Sequence, residues 1–146
     1  MPSALAYTKP LPKIDALTQP FWEYAGRGKL AIQACKQCGD RHFPPTPVCP
    51  KCLSQDQEWQ VVSGRGELVS WAVFHRAYWD SFVNDLPYSV CIVRLAEGPL
   101  VAGNLIEDKS VAPKVGDTVE AVFDQVTEEI SLMRFRITAP GRTGSP

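Results

Sequence analysis

No apolar run in this sequence approaches the roughly 20 residues that a membrane-spanning helix needs. Its first residues, Met1-Pro2-Ser3-Ala4-Leu5, show neither the positive n-region nor the apolar core of a secretory signal. An excess of one charge is missing too. The 15 basic and 16 acidic side chains leave a net charge of -1. That balance argues against a primary role on nucleic acid, where a basic face is usual. Histidine is scarce, with only His42 and His75. No Ser nucleophile elbow, P-loop or dinucleotide fingerprint occurs. Gly26-Arg27-Gly28 and Gly64-Arg65-Gly66 are too short for phosphate loops and read as turns. The expected setting is therefore the cytoplasm, where thiols stay reduced and available to metal.

What the chain does have is a pair of C-x-x-C knuckles. Cys35 and Cys38 flank Lys36-Gln37, and Cys49 and Cys52 flank Pro50-Lys51, with Gly39 to Val48 between the pairs. Four thiolates this close suit one tetrahedral ion in a closed structural site, with no position left for water or substrate. The gap is shorter than the commonest zinc-ribbon spacing, yet long enough for a tight return. Zn2+ is the expected ion. A rubredoxin-type iron site uses the same ligands, and a pair of disulfides would need an oxidising compartment. Leu30 to Ala34 reads as a strand entering the first knuckle, and Gly39 permits the positive φ a knuckle turn often needs. Phe43-Pro44-Pro45-Thr46-Pro47-Val48 returns the chain with little freedom, and the sequence is then polar from Cys52 to Trp59. So small a module has almost no core, and metal binding supplies much of its folding free energy. His42 reads as a surface or knuckle-packing residue, because four thiolates already satisfy the ion.

At 146 residues, 45% hydrophobic and 21% charged, the chain suits one ordinary soluble domain or two very small ones that lean on each other. Four parts are expected: a leader and short helix over 1–28, the ribbon over 29–60, a barrel over 61–140, and a flexible tail over 141–146. Pro20 fits a first helical turn and Gly26 and Gly28 fit its end. Phe21, Trp22 and Tyr24 are too many aromatics for a solvated helix and dock on this chain's own body or on a partner. Strand-prone runs follow at 67–74, 88–95, 100–106, 118–123 and 130–137. In the last, Met133, Phe135 and Ile137 alternate with Arg134 and Arg136. Five short strands with glycine-marked turns predict a mainly β fold closed as an OB-type barrel. Cys91, mid-strand among apolar residues, reads as a buried small hydrophobe. A catalytic pair of Cys91 and His75 is disfavoured, because a reactive thiol needs a partly open, electropositive setting.

These parts in this order resemble a known family. Phe21-Trp22, Cys35-Lys36-Gln37-Cys38-Gly39, Phe43-Pro44-Pro45, Cys49-Pro50-Lys51-Cys52 and Gly64-Arg65-Gly66 come first. Asp85-Leu86-Pro87-Tyr88, Glu97-Gly98-Pro99, Asn104-Leu105 and Val115-Gly116-Asp117 follow. Together they resemble the DUF35 family, a rubredoxin-like zinc ribbon joined to an OB-fold, over roughly Pro20 to Pro140. The resemblance implies a non-catalytic accessory subunit of an acyl-CoA-processing complex. Its implied partner is a thiolase-fold enzyme or, in some systems, a hydratase, in a hetero-oligomer that shares a CoA-linked substrate. CoA itself wants cations for its phosphates and an aromatic or Arg face for its adenine. Arg41 with Phe43 is one candidate set, and His75, Arg76, Tyr78 and Trp79 are another. The loop from Tyr78 to Asn84 carries three aromatics, so Tyr78, Trp79 and Phe82, with Phe21 and Trp22, are the candidate partner contacts. The alternative from a different class is a single-stranded nucleic-acid binder, with Arg65, Arg76, Arg94, Arg134 and Arg136 on a barrel face.

Overall fold

Each strand-prone run in the sequence forms a strand. The computed structural model describes residues 7–106, 108 and 110–140; the expected tail at 141–146 lies outside the described residues. The first element is the helix α1, Gln19–Ala25, with Pro20 in its first turn. The Gly26 amide closes it by donating to the Trp22 carbonyl at 2.9 Å. Phe21 and Ala25 face inward, so the aromatic load of this short helix is partly used on the chain's own core.

Strand β1, Leu30–Cys35, is buried along its whole length. It is flanked antiparallel by β2, Arg41–His42, on one side and by β3, Gln57–Val62, on the other. The sequence gives no warning of β3, whose Gln57-Glu58-Trp59-Gln60 start is polar. It is an edge strand, and its residues are only half-buried or exposed, so no apolar alternation is required of it. It also spans the expected junction between residues 60 and 61.

The barrel consists of β4 Arg65–Phe74, β5 Tyr88–Leu95, β6 Leu100–Leu105, β7 Thr118–Gln125 and β8 Ser131–Ala139. The strands close in the order β4-β5-β6-β8-β7, and β7 pairs back onto β4. Every pairing is antiparallel except β6 with β8. Period-two alternation is clear in β5, where Ser89, Cys91, Val93 and Leu95 are buried. In β8 Phe135 is buried, Met133 and Ile137 pack against the core, and Arg136 is exposed. Gly66 lies in β4 where β5 crosses so closely that a Cβ would collide with the Arg94 carbonyl and the Val93 side chain. The mainly β, five-strand barrel is thus as expected.

One apolar cluster joins the two parts. Phe21, Leu30 and Ile32 belong to the same buried set as Leu68, Val93, Leu95, Val101, Leu105, Val119 and Phe135. Helix α1 touches both β1 and β8, so it wedges the ribbon against the barrel. Each large apolar side chain buried this way stabilises the fold by about 1.5–3 kcal/mol. Cys91 is fully buried in that cluster. Among the described residues no helix is long and apolar enough to cross a membrane.

Candidate functional site

The two knuckles are built alike. In the first, the Gly39 amide donates to the Cys35 carbonyl at 2.9 Å, and in the second the Leu53 amide donates to the Cys49 carbonyl at 2.8 Å. Positive φ follows each knuckle, 79° at Gly39 and 65° at Leu53. Backbone amides also point at sulfur: Cys38 N–H donates to Cys35 Sγ and Lys51 N–H to Cys49 Sγ, both at 3.4 Å. All four Sγ atoms lie within 4.8 Å of one another. Cys35 and Cys52 approach to 3.5 Å and Cys38 and Cys49 to 3.6 Å. A tetrahedron with Zn–S bonds of 2.3 Å has sulfur–sulfur edges of about 3.8 Å. The donor set therefore fits a four-thiolate ion in both chemistry and size.

Proton affinities in the cluster agree with that use. The Cys38 amide pulls the Cys35 thiol down to about 7. Cys38 itself accepts from the Asp40 amide, yet burial and the neighbouring sulfurs push it up to about 12. Cys35 gives up its proton readily while Cys38 and Cys52 hold theirs, and a dication displaces the thiol protons together.

The return loop is pinned by side chains that sequence reasoning missed. Gln33 Oε1 accepts from the Thr46 amide at 2.7 Å, and Gln57 Nε2 donates to the Thr46 carbonyl at 2.9 Å. A lone glutamine inside the apolar run Leu30-Ala31-Ile32-Gln33-Ala34 was the available signal, because a buried amide needs partners. Phe43 is half-buried, its ring 5.7 Å from Phe21. Phe21 is 6% exposed, so of the helix pair Trp22 remains nearer the surface. Arg41 is exposed beside a polar cleft shared with Cys38, Lys51 and Glu97. Glu97 is partly desolvated, but the Ser63 amide and the Arg41 charge keep its carboxyl below the usual range.

A second concentration of side chains lies at the other end of β4. Phe74 stacks on Tyr88 with ring centroids 5.1 Å apart, and Tyr78, Phe82 and Trp79 extend the cluster. Tyr78 and Trp79 are 62% and 60% exposed. His75 and Arg76 are exposed beside them, with the Arg76 guanidinium 5.4 Å from the Tyr78 ring centre. The loop includes a 3-10 helix, Asp80–Asp85. Phe74 and Tyr88 pair directly across β4 and β5, so the hairpin needs none of this excursion to close. Lys9 reaches from the leader to Asp85 at 2.9 Å and lies over the Phe82 and Tyr7 rings. Arg41 belongs to the Arg65 end of β4, because the Glu97 turn bonds Ser63 and Arg65. The ten residues of β4 span on the order of 30 Å. The structure therefore does not bring Arg41 together with His75, Arg76, Tyr78 and Trp79.

Comparison with known proteins accounts for both halves. Residues 22–58 match the family model of the ChsH2 rubredoxin-like zinc ribbon domain, and residues 59–124 match that of the ChsH2 C-terminal OB-fold domain. A DUF35 domain-containing scaffold protein of Methanocaldococcus jannaschii is 34% identical over 96 residues, which is 65% of this chain and 67% of that protein. The chain belongs to the DUF35 family. Its four-cysteine cluster is that of a rubredoxin-like zinc ribbon, and its barrel is the DUF35 OB-fold. Another relative of this DUF35 chain is a probable enoyl-CoA hydratase alpha subunit of Thermomonospora curvata. It is 32% identical over 135 residues, and the match spans 90% of this chain but 41% of that subunit. Among solved structures, the chain described as Ltp2-ChsH2(DUF35) aldolase superposes with a TM-score of 0.76 at 30% identity. The superposition covers 87% of this chain and 98% of that one.

Proposed function

We propose that this DUF35 chain is a non-catalytic accessory subunit of an acyl-CoA-processing complex. Its catalytic partner is a thiolase-type enzyme or, in some assemblies, a hydratase. The observation that carries this reading is the likeness to the Ltp2-ChsH2(DUF35) aldolase chain along nearly its whole length. Relatives described as scaffold protein and as hydratase alpha subunit support it. Cys91 gives no competing nucleophile: it is fully buried, and burial pushes its thiol up to about 11. A net charge of -1 does not favour the nucleic-acid alternative.

In this reading Zn2+ on Cys35, Cys38, Cys49 and Cys52 is structural. It holds the ribbon, residues 29–60, in the shape that α1 and the barrel of residues 61–140 lean on. A cytoplasmic setting suits the four thiols. Trp22, Tyr78, Trp79 and Phe82 meet the partner, with Phe21 supporting Trp22 from beneath. A shared CoA-linked substrate contacts the His75, Arg76, Tyr78 and Trp79 set in preference to Arg41 and Phe43. Glu97 beside Arg41 opposes a phosphate there, whereas Arg76 and two exposed rings offer a cation and a stacking face.

Affinity purification from the source cells, with mass spectrometry of what travels with the chain, tests this. A thiolase-fold or hydratase-fold enzyme in near-stoichiometric amount is expected. The chain emerging alone, or with nucleic acid, overturns the reading.

A further inference from the structure

The ribbon buries an imidazole that its own hydrogen bonds do not use. His42 sits on β2 opposite Gln33 of β1 and is 8% exposed. Neither Nδ1 nor Nε2 has a hydrogen-bond partner among the described residues. A buried polar group left this way is costly. Asp40 Oδ2 stands 3.3 Å from Nδ1, at ion-pair distance but without hydrogen-bond geometry. A ring nitrogen of His42, a carboxylate oxygen of Asp40 and Cys49 Sγ all lie within 4.8 Å of one another.

Metal loading changes what this imidazole meets. A neutral thiol is a weak acceptor, whereas a coordinated cysteine is a thiolate and carries charge. Four thiolates on a dication leave excess negative charge on the sulfurs, which N–H donors offset. Cys49 is fully buried, so water cannot supply such a donor, and the Lys51 amide supplies one. Strand β2 is only two residues long, with Arg41 outward and His42 inward. Its pairing with β1 sets the imidazole beside the knuckle.

We propose that the single ring N–H of a neutral His42 donates to the Cys49 thiolate of the metal-loaded ribbon. His42 is then a positioning residue outside the ligand set, of the kind that orients ligands and tunes a metal. This inference rests on the zinc reading above.

The test uses the full chain loaded with Co(II) in place of zinc, in wild type, His42→Phe and His42→Gln. Phenylalanine keeps bulk and removes the donor, while glutamine keeps an N–H. In His42→Phe the thiolate-to-cobalt charge-transfer bands are expected at longer wavelength, because an unbonded thiolate gives up charge more readily. Zinc affinity, measured by competition with 4-(2-pyridylazo)resorcinol, is expected to fall about 10- to 100-fold. His42→Gln should stay near wild type in both. Unmoved bands in a fully loaded His42→Phe overturn the inference, and so does equal zinc loss in both variants without a band shift, which marks packing alone. A wild type that shows no thiolate–cobalt band overturns the zinc reading itself, and this inference with it.

Discussion

The ribbon and the barrel are held together in opposite ways. The barrel closes its own hydrogen-bond ladder and fills its interior with Leu68, Val93, Leu95, Val101, Val119 and Phe135. The ribbon has one buried strand, a two-residue neighbour and a half-buried edge. Apart from Leu30 and Ile32, the buried apolar residues of its strand are alanines and a cysteine. What the barrel gains from apolar burial, the ribbon must gain from its sulfur cluster and from α1 beside it. A short segment can therefore hold a fixed shape without a core, provided its metal is present.

The sharpest break in that comparison is Cys35→Ser or Cys49→Ser. A structural zinc site contributes about 10–16 kcal/mol to folding in small ribbons, so removing one ligand should unfold this one. Hydrogen exchange should show fast amides over residues 30–62 and continued protection in β5 and β8, and metal content should drop. Uniform loss of protection would mean that the barrel cannot stand without the ribbon.

The converse change acts on the barrel. Phe135→Ala removes a fully buried ring packed so close over Gly103 that a Cβ there would lie 3.0 Å from it, and should cost about 3–5 kcal/mol in denaturant unfolding. Bound zinc should stay at one equivalent per folded chain. Gly66→Ala should also destabilise the barrel, because the β4–β5 crossing leaves no room for a methyl group. A loss of zinc with either variant, while the barrel stayed folded, would erase the distinction between the two regions.

A third change should leave both regions folded and affect only assembly. Trp79→Ala, at a 60% exposed position, should shift stability by no more than about 0.5 kcal/mol. Its effect on partner affinity should be about 2 kcal/mol or more, as for other central aromatic contacts. Unchanged affinity would remove the loop from the interface. The smallest expected effect is that of Lys9→Ala. The Lys9–Asp85 pair is partly exposed and is worth at most about 1 kcal/mol. The change should loosen the leader, seen as faster proteolysis near residue 9, without altering Tm appreciably.

The cysteine spacing and the period-two runs made most of this fold legible. Met133, Phe135 and Ile137 alternating with Arg134 and Arg136 mark a strand with one wet face, whatever surrounds it. Strand β3 escaped because an edge strand in a small sheet carries no apolar periodicity. The Asp80–Asp85 3-10 helix escaped because so short an element leaves no repeating pattern. Lys9 meeting Asp85 and Phe82 is a long-range contact between a leader and a loop, and neither segment signals the other. His42 was legible as a residue but not in its burial, since nothing in Asp40-Arg41-His42-Phe43 marks which side chain turns inward. The loop from Tyr78 to Asn84 was visible as aromatics without a strand to serve, and the structure adds that its hairpin does not need it.

The most direct test of the central claim is size-exclusion chromatography with light scattering of this chain mixed with the enzyme it captures. The expected result is one peak at a fixed subunit ratio with the zinc-loaded chain. Independent elution of the two proteins at low salt, with zinc bound and both folded, would contradict the accessory-subunit account.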